Sequence, residues 1–320
     1  MQTVQHGVTA VVVRPMRPDD VDAADRVMRL AFGTQFGMPD PLQAFGDAEC
    51  IRTRFATADV GAFVAEVDGE VVGSNVATRW GSFGFFGPLT VRPDLWNGGI
   101  ARQLMAPVVD LFDTWGVRQA GLCTFAESTK HVGLYQRFGF WPKYLTALMG
   151  KRVAAVMVGS PPARFSETAS GEREAVLAAC RAVTDAIYEG LDVTSEIVAV
   201  DEQHLGDTVL LGGKGGLDGF AVCHAGTGEA GSGTCFVKFG AVLAGPGAAE
   251  RFARLLAACE ALAAGRGLGL VQAGVSTGRG GAYRAMLAAG YRAGFQGIRM
   301  LRSEGPGYCR PDDWVIDDLR

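Results

Sequence analysis

Apolar positions along the chain fall into two alternating spacings, one of strands and one of helices. Residues 9–14 form a short continuous apolar run suited to a buried strand, and Arg17, Pro18, Asp19 and Asp20 then open a helix with proline and acids in its first turn. A second helical stretch covers about 47–58. Strand-like stretches at 62–67 and 70–79 flank Asp68-Gly69, a strong two-residue hairpin signal. A strand over 82–91 stops before Pro93, and helical spacing resumes at Leu104, Val108, Leu111 and Phe112. With the strand at 119–125 this predicts an α/β fold, a mixed sheet with helices on its faces.

Near residue 160 the composition changes, with two prolines, two glycines and four Ser or Thr residues in GSPPARFSETASG. Such a stretch marks a boundary between a unit at 1–155 and one at 165–320. Beyond it come a helix at 172–188, strands at 208–211, 219–224 and 234–243, a helix at 248–264, a strand at 268–275, a helix at 280–289 and a strand near 298–302. The order repeats that of the first half. Ser276-Thr277 echoes Ser128-Thr129, and Gly290-Tyr291 echoes Gly139-Phe140, so the chain reads as a tandem repeat. Matching Gly290 to Gly139 puts Met286 at the position of Tyr135, whereas matching Ser276 to Ser128 puts Tyr283 there. The first is preferred, because turn-closing glycines are harder to move than helix residues.

Composition narrows the class. Hydrophobic residues at 48% and charged ones at 20% supply sizeable cores over 320 residues, which excludes a disordered chain. A balance of 30 basic against 34 acidic residues argues against a nucleic-acid-binding surface. Seven scattered cysteines, never in C-x-x-C spacing, read as small apolar fillers in a reducing compartment, with no metal site. The first residues carry no basic leader and no run reaches the ~18 apolar residues of a membrane span, so a cytoplasmic protein without a membrane partner is expected.

The chemistry concentrates between Gly87 and Pro142. After the strand, Asn97, Gly98, Gly99 and Ala101 leave the backbone bare before the helix, a turn that aims unpaired N–H groups and the helix dipole at an anion such as phosphate. The second half has only Ala244-Gly245-Pro246-Gly247 there, a shorter turn in which Pro246 supplies no N–H.

This turn, with Leu134, Tyr135, Gly139 and Phe140 following at the spacing of one helix and one strand, resembles the core of the GNAT superfamily of acyl-CoA-dependent N-acyltransferases over residues 9–150. The family motif R/Q-x-x-G-x-G/A maps onto Trp96 to Ala101; Gly99 and Ala101 fit and Trp96 departs. The resemblance implies two tandem GNAT-like domains, each a central, mostly antiparallel sheet flanked by helices, the second without a CoA site. It implies acetyl-CoA as co-substrate, held by Leu89, Thr90, Val91, Asn97, Gly98, Gly99, Ile100, Ala101, Arg102 and Ser128, with its pantetheine arm lying along Leu89 to Val91 like an added strand. Ser128 stands where the family often has an Asn that contacts pantetheine; it can also serve simply as an N-cap. Tyr135 would protonate the departing thiolate, against the plainer reading of a packing tyrosine at a helix end.

Candidate bases for the amine are Glu66, Glu127 and His131. Each has a bland alternative: Glu66 on the solvent side of its strand, Glu127 beside a helix N-terminus, His131 as a capped surface residue. A water chain or a carbonyl can serve instead. Cys123 sits on a buried strand with no adjacent cation, which disfavours a covalent intermediate. Gly212 to Gly216 lacks a phosphate-loop pattern and reads as a hairpin turn, and Asp312, Asp313, Asp317 and Asp318 read as a solvated terminal strand. Phe32, Phe36, Met38 and Phe45 either line an acceptor site or pack as core. The acceptor is expected to be a small-molecule or peptide amine, with a homodimer compatible; the alternative is a non-catalytic acyl-CoA-binding or scaffold protein.

Overall fold

The computed structural model describes residues 10–153, 161–213, 215–226, 228–302, 305 and 307–320. Its first half runs β1 (Val11–Pro15), α1 (Val21–Gln35), α2 (Cys50–Phe55), β2 (Val60–Val67), β3 (Glu70–Trp80), β4 (Phe83–Phe86), β5 (Thr90–Val91), α3 (Ile100–Thr114), β6 (Gln119–Phe125), α4 (Thr129–Gln136) and β7 (Trp141–Arg152). The second half runs β8 (Ala163–Arg164), α5 (Arg173–Ile187), α6 (Thr194–Glu202), β9 (Gly206–Gly213), β10 (Gly216–Gly226), β11 (Gly231–Val242), α7 (Ala248–Gly265), β12 (Leu270–Ser276), α8 (Gly280–Ala288), β13 (Arg292–Arg302) and β14 (Trp314–Ile316). The boundary expected near residue 160 adjoins 154–160, which lie outside the described residues.

Local signals place most of these elements. Asp68 and Gly69 turn with φ of 53° and 81°, joining β2 to β3 as a two-residue hairpin. Pairing is antiparallel from β1 through β4, and β4 then runs parallel to β6; in the second half β8 through β11 are antiparallel and β11 runs parallel to β12. The two half-sheets join into one sheet because their last strands cross over. β13 lies between β6 and β7, and β7 lies between β13 and β12, so each half closes its sheet with help from the other.

The structure departs from the sequence expectations at several places. Among the described residues the first strand sits at the sheet's edge, paired with β2 alone, and is not buried. The strand expected over 82–91 breaks into β4 and β5 at Gly87-Pro88. β7 and α6 were not anticipated.

Of the four terminal acids only Asp312 is exposed as expected. Asp313, Asp317 and Asp318 are buried, and Asp317 lies between the guanidiniums of Arg279 and Arg299. Burial pushes the Asp317 carboxyl upward, but the two cations outweigh it and hold it below the ordinary range. Arg279 also donates to the Tyr308 carbonyl at 2.9 Å. Substituting Asp317→Asn leaves two buried guanidiniums without a counter-charge, so chemical denaturation should show a loss of about 3–5 kcal/mol. A loss below about 1 kcal/mol, the size of an exposed pair, would show that the cluster is not the anchor of the C-terminal segment.

Candidate functional site

β4 and β6 pair over only three rungs, Phe83 with Gln119 through Phe85 with Gly121, and then part. Past that point 86–91 and 122–125 form opposite walls of a cavity of about 1020 Å³. β5 bonds to β3 on one side only, leaving the backbone edge of Leu89, Thr90 and Val91 open to the cavity. An open strand edge of this kind accepts an extended ligand as if it were another strand.

One end of the cavity is a cationic cradle. Gly99 caps α3 with φ of 81°, a conformation that glycine adopts without strain. The first backbone bond of α3 beyond it runs from Gln103 N to Gly99 O at 3.3 Å, so the N–H groups of Ile100, Ala101 and Arg102 precede the helical ladder and face outward. Asn97, Gly99, Ile100, Ala101 and Arg102 line the cavity; Gly98 is in the turn but not in its wall. Trp96, the departure from the family motif, donates its indole N–H to the Val91 carbonyl at 2.7 Å and ties the turn to β5. Arg102, Lys130 and Arg137 add positive charge to this wall; Lys130 and Arg137 were missed because single basic residues on a helix carry no pattern.

At the middle of the cavity stand Tyr135 and His131, one turn apart on α4 and both in its wall. Burial raises the Tyr135 phenol above its ordinary range, so it stays protonated, and its hydroxyl pairs with the Thr124 side chain. Ser128 caps α4 by accepting from His131 N at 3.5 Å and also lines the cavity, so its two readings coexist. Burial, helped by Lys130, lowers the His131 pKa, and its Nδ1 is buried without a partner among the described residues.

The other two candidate bases lie elsewhere. Glu66 is outside the cavity and ion-paired to Arg14, whose hydrogen bond holds its carboxyl below the ordinary range. Glu127 is exposed on the turn after β6. Burial pushes the Cys123 thiol up to about 12, the reverse of what a nucleophile needs.

The opposite end of the cavity is aromatic, with a buried ionic floor that sequence reading missed. Arg54 donates to the Gly87 carbonyl and to Glu229, both at 2.6 Å. Lys238 bridges Glu229 and Glu196. Arg54 and Glu229 lie 175 positions apart in sequence, so no local pattern could have paired them.

The second half has the same parting, but there it is filled. β11 pairs with β12 from Thr234 to Val237, after which β14 lies antiparallel along Gly240 to Val242 and fills the gap. Its turn has the opposite polarity: the Arg251 guanidinium takes the carbonyls of Leu243, Pro246 and Ala244 at 2.7, 2.9 and 3.1 Å. Phe140 N bonds to Tyr135 O at 3.1 Å and Tyr291 N to Met286 O at 3.0 Å, so Met286 occupies the place of Tyr135.

Residues 29–140 match the acetyltransferase (GNAT) family. Among curated proteins the sequence finds no match. A Pyrococcus horikoshii protein assigned to the acetyltransferases is similar in structure at 13% identity over 95% of this chain and 93% of its own, with a TM-score of 0.67. A GCN5-related N-acetyltransferase from Sphaerobacter thermophilus matches at 15% identity over 91% and 95%, TM-score 0.59. A tandem GNAT protein from the clavulanic acid biosynthesis pathway matches at 14% identity over 92% and 100%, TM-score 0.55. At these identities the likeness is one of fold, and it extends through both halves. Residues 29–140 thus carry an acetyltransferase (GNAT) family segment, and the whole chain has the fold of tandem GNAT structures.

The ionic floor makes a pH prediction. His224, facing Glu229, Lys238, Glu196 and Arg54, is fully buried, and desolvation lowers its pKa to about 4. An unfolded histidine takes its proton near 6.5, so stability should be full above about pH 6.5 and fall as pH drops toward 4, by on the order of 2 kcal/mol at pH 4.5. His131 adds to the same window, while the Glu229 contribution is lost only at lower pH. Proton NMR of the His224 ring should give a midpoint near 4; a midpoint near 6.5 would contradict the burial.

Proposed function

We propose that the chain is an acetyl-CoA-dependent N-acetyltransferase that joins an acetyl group to the amine of a small molecule or peptide by direct attack in a ternary complex. The supporting observation is the open edge of 89–91, lying in a single cavity with the anion cradle at Gly99 and with Tyr135. In this reading the unit at 1–155 carries the co-substrate site. The unit at 165–320 keeps the fold, fills its own gap with β14, and shapes the acceptor end through Glu229, Phe236 and Phe295.

The free N–H groups of Gly99 to Arg102, with Arg102, Lys130 and Arg137 around them, hold the pyrophosphate and phosphate charges. Leu89 to Val91 align the pantetheine arm, and an N–H of this segment polarises the thioester carbonyl. Acyl transfer forms the amide C–N bond and breaks the thioester C–S bond. His131, neutral at pH 7, takes the proton leaving the amine nitrogen, and Tyr135 gives its proton to the departing sulfur. A phenol of raised pKa can serve because the thiolate sheds its charge in the same water-poor space. The scaffold alternative has no observation of its own, since a neutral histidine and a protonated tyrosine share one helix face inside the cavity.

Substituting Tyr135→Phe keeps the ring and removes the hydroxyl, so kcat should fall ~10²–10⁴-fold with little change in acetyl-CoA affinity. Steady-state kinetics with free CoA thiol as the readout check this; full turnover would make Tyr135 a packing residue. Substituting Gly99→Glu puts a carboxylate in the cradle and a side chain at φ of 81°, and should abolish acetyl-CoA binding by calorimetry. Unchanged affinity would place the phosphates elsewhere.

A further inference from the structure

The acceptor end of the cavity has a composition of its own. Phe32 from α1, Phe36 just past its end, Phe45 from the following loop, Phe125 from the end of β6 and Phe295 from β13 form one connected ring cluster with centroid separations of 5.1–6.4 Å. Three of these rings are large apolar side chains left well exposed: Phe36 at 50%, Phe45 at 41% and Phe295 at 36%. The cluster leads inward, since Phe125 is 6.1 Å from the His131 ring, one helical turn from Tyr135. It is also assembled from both halves, because β13 is the strand contributed by the second half.

Charge on this wall is already committed. Among the side chains of the described residues that line the cavity, Glu229 is the one carboxylate, and it is bound by Arg54 and Lys238; the Arg320 main-chain oxygen in the same wall is also taken by Arg54. A polycationic acceptor, a polyamine or an aminoglycoside, needs several unpaired carboxylates to replace its hydration, and none faces the cavity there. Rings, by contrast, offer apolar area, edge-to-face contacts and a favourable surface for a single ammonium head on its way to deprotonation.

We infer that the acceptor is a primary monoamine carried on an aromatic body, the body seated among Phe32, Phe36, Phe125 and Phe295 and the nitrogen directed at His131 and Tyr135. This rests on the acetyltransferase reading above. Phenethylamine is the probe, with butylamine and spermidine as comparators, on the full chain with saturating acetyl-CoA and CoA thiol release as the readout. Burying one aromatic ring in such a pocket is worth at least about tenfold, so kcat/KM for phenethylamine should exceed that for butylamine by that factor and exceed that for spermidine by more. Substituting Phe36→Ala or Phe295→Ala, each at an exposed ring, should raise the KM for phenethylamine about tenfold while leaving kcat, acetyl-CoA affinity and melting temperature nearly unchanged, and Phe36→Tyr should restore it.

Calorimetry with acetyl-CoA separates the two levels. If the chain does not bind acetyl-CoA, the acetyltransferase reading falls and this inference with it. If it binds and spermidine or a lysine-containing peptide is preferred, the inference alone is overturned. The same holds if Phe36→Ala lowers the melting temperature without touching the KM, which would make the rings ordinary packing.

Discussion

The structure depends on one constraint, that a parallel pair of strands in each half separates after a few rungs while the sheet continues on either side. In the first half the separation follows Phe85 and Gly121, at the break between β4 and β5. The edge of Leu89 and Thr90 turned away from β3 then faces a space instead of a strand, and unpaired backbone is costly unless water or a ligand satisfies it. In the second half the same separation follows Val237 and Ala273, and β14 supplies the missing partner from the chain itself. One fold used twice thus gives one open cleft and one sealed one. The seal is held by Asp317, locked between Arg279 and Arg299 immediately after β14.

The halves are not independent modules. β13 completes the sheet beside β6, which bears Cys123 and Thr124 on the cavity wall, and β7 completes the sheet beside β12. Trp80, Phe83 and Phe85 of the first half pack in one core with Ile187, Phe220 and Phe239 of the second, and Trp80 donates to Glu196 at 2.9 Å. The floor under the aromatic end of the cavity joins Arg54 of α2 to Glu229 of the β10–β11 turn. Removing either charge would leave the other buried and uncompensated, so this floor is rigid by construction. A second half that has lost its own cleft therefore still shapes the first one.

Legibility in the sequence followed the range of the interactions. The Asp68-Gly69 hairpin, the strand at Gln119–Phe125, the bare turn before α3 and the repeat of elements in the second half all come from local pattern, and each stands where the residues pointed. β7 was missed because Trp141–Arg152 shows no clear alternation: it lies between two strands of the other half, and its partners are 118 or more positions away. The buried acids were misread for a similar reason, as nothing near Asp317 announces Arg279 and Arg299. Within the site, the cradle and α4 residues were legible through the GNAT resemblance. Glu66 was not excluded until Arg14 was seen across the β1–β2 pair, and the ring cluster needed Phe295, brought in by the strand crossover.

The central claim is that one cleft, on one strand edge, takes the co-substrate while its counterpart is filled by β14. Amide hydrogen exchange of the full chain, with and without acetyl-CoA, tests this at the backbone groups concerned. The account predicts slowed exchange at Leu89 to Val91 and at Gly99 to Arg102, with no change at 244–251 or 314–316. Protection at the second turn, or at both turns equally, would contradict it.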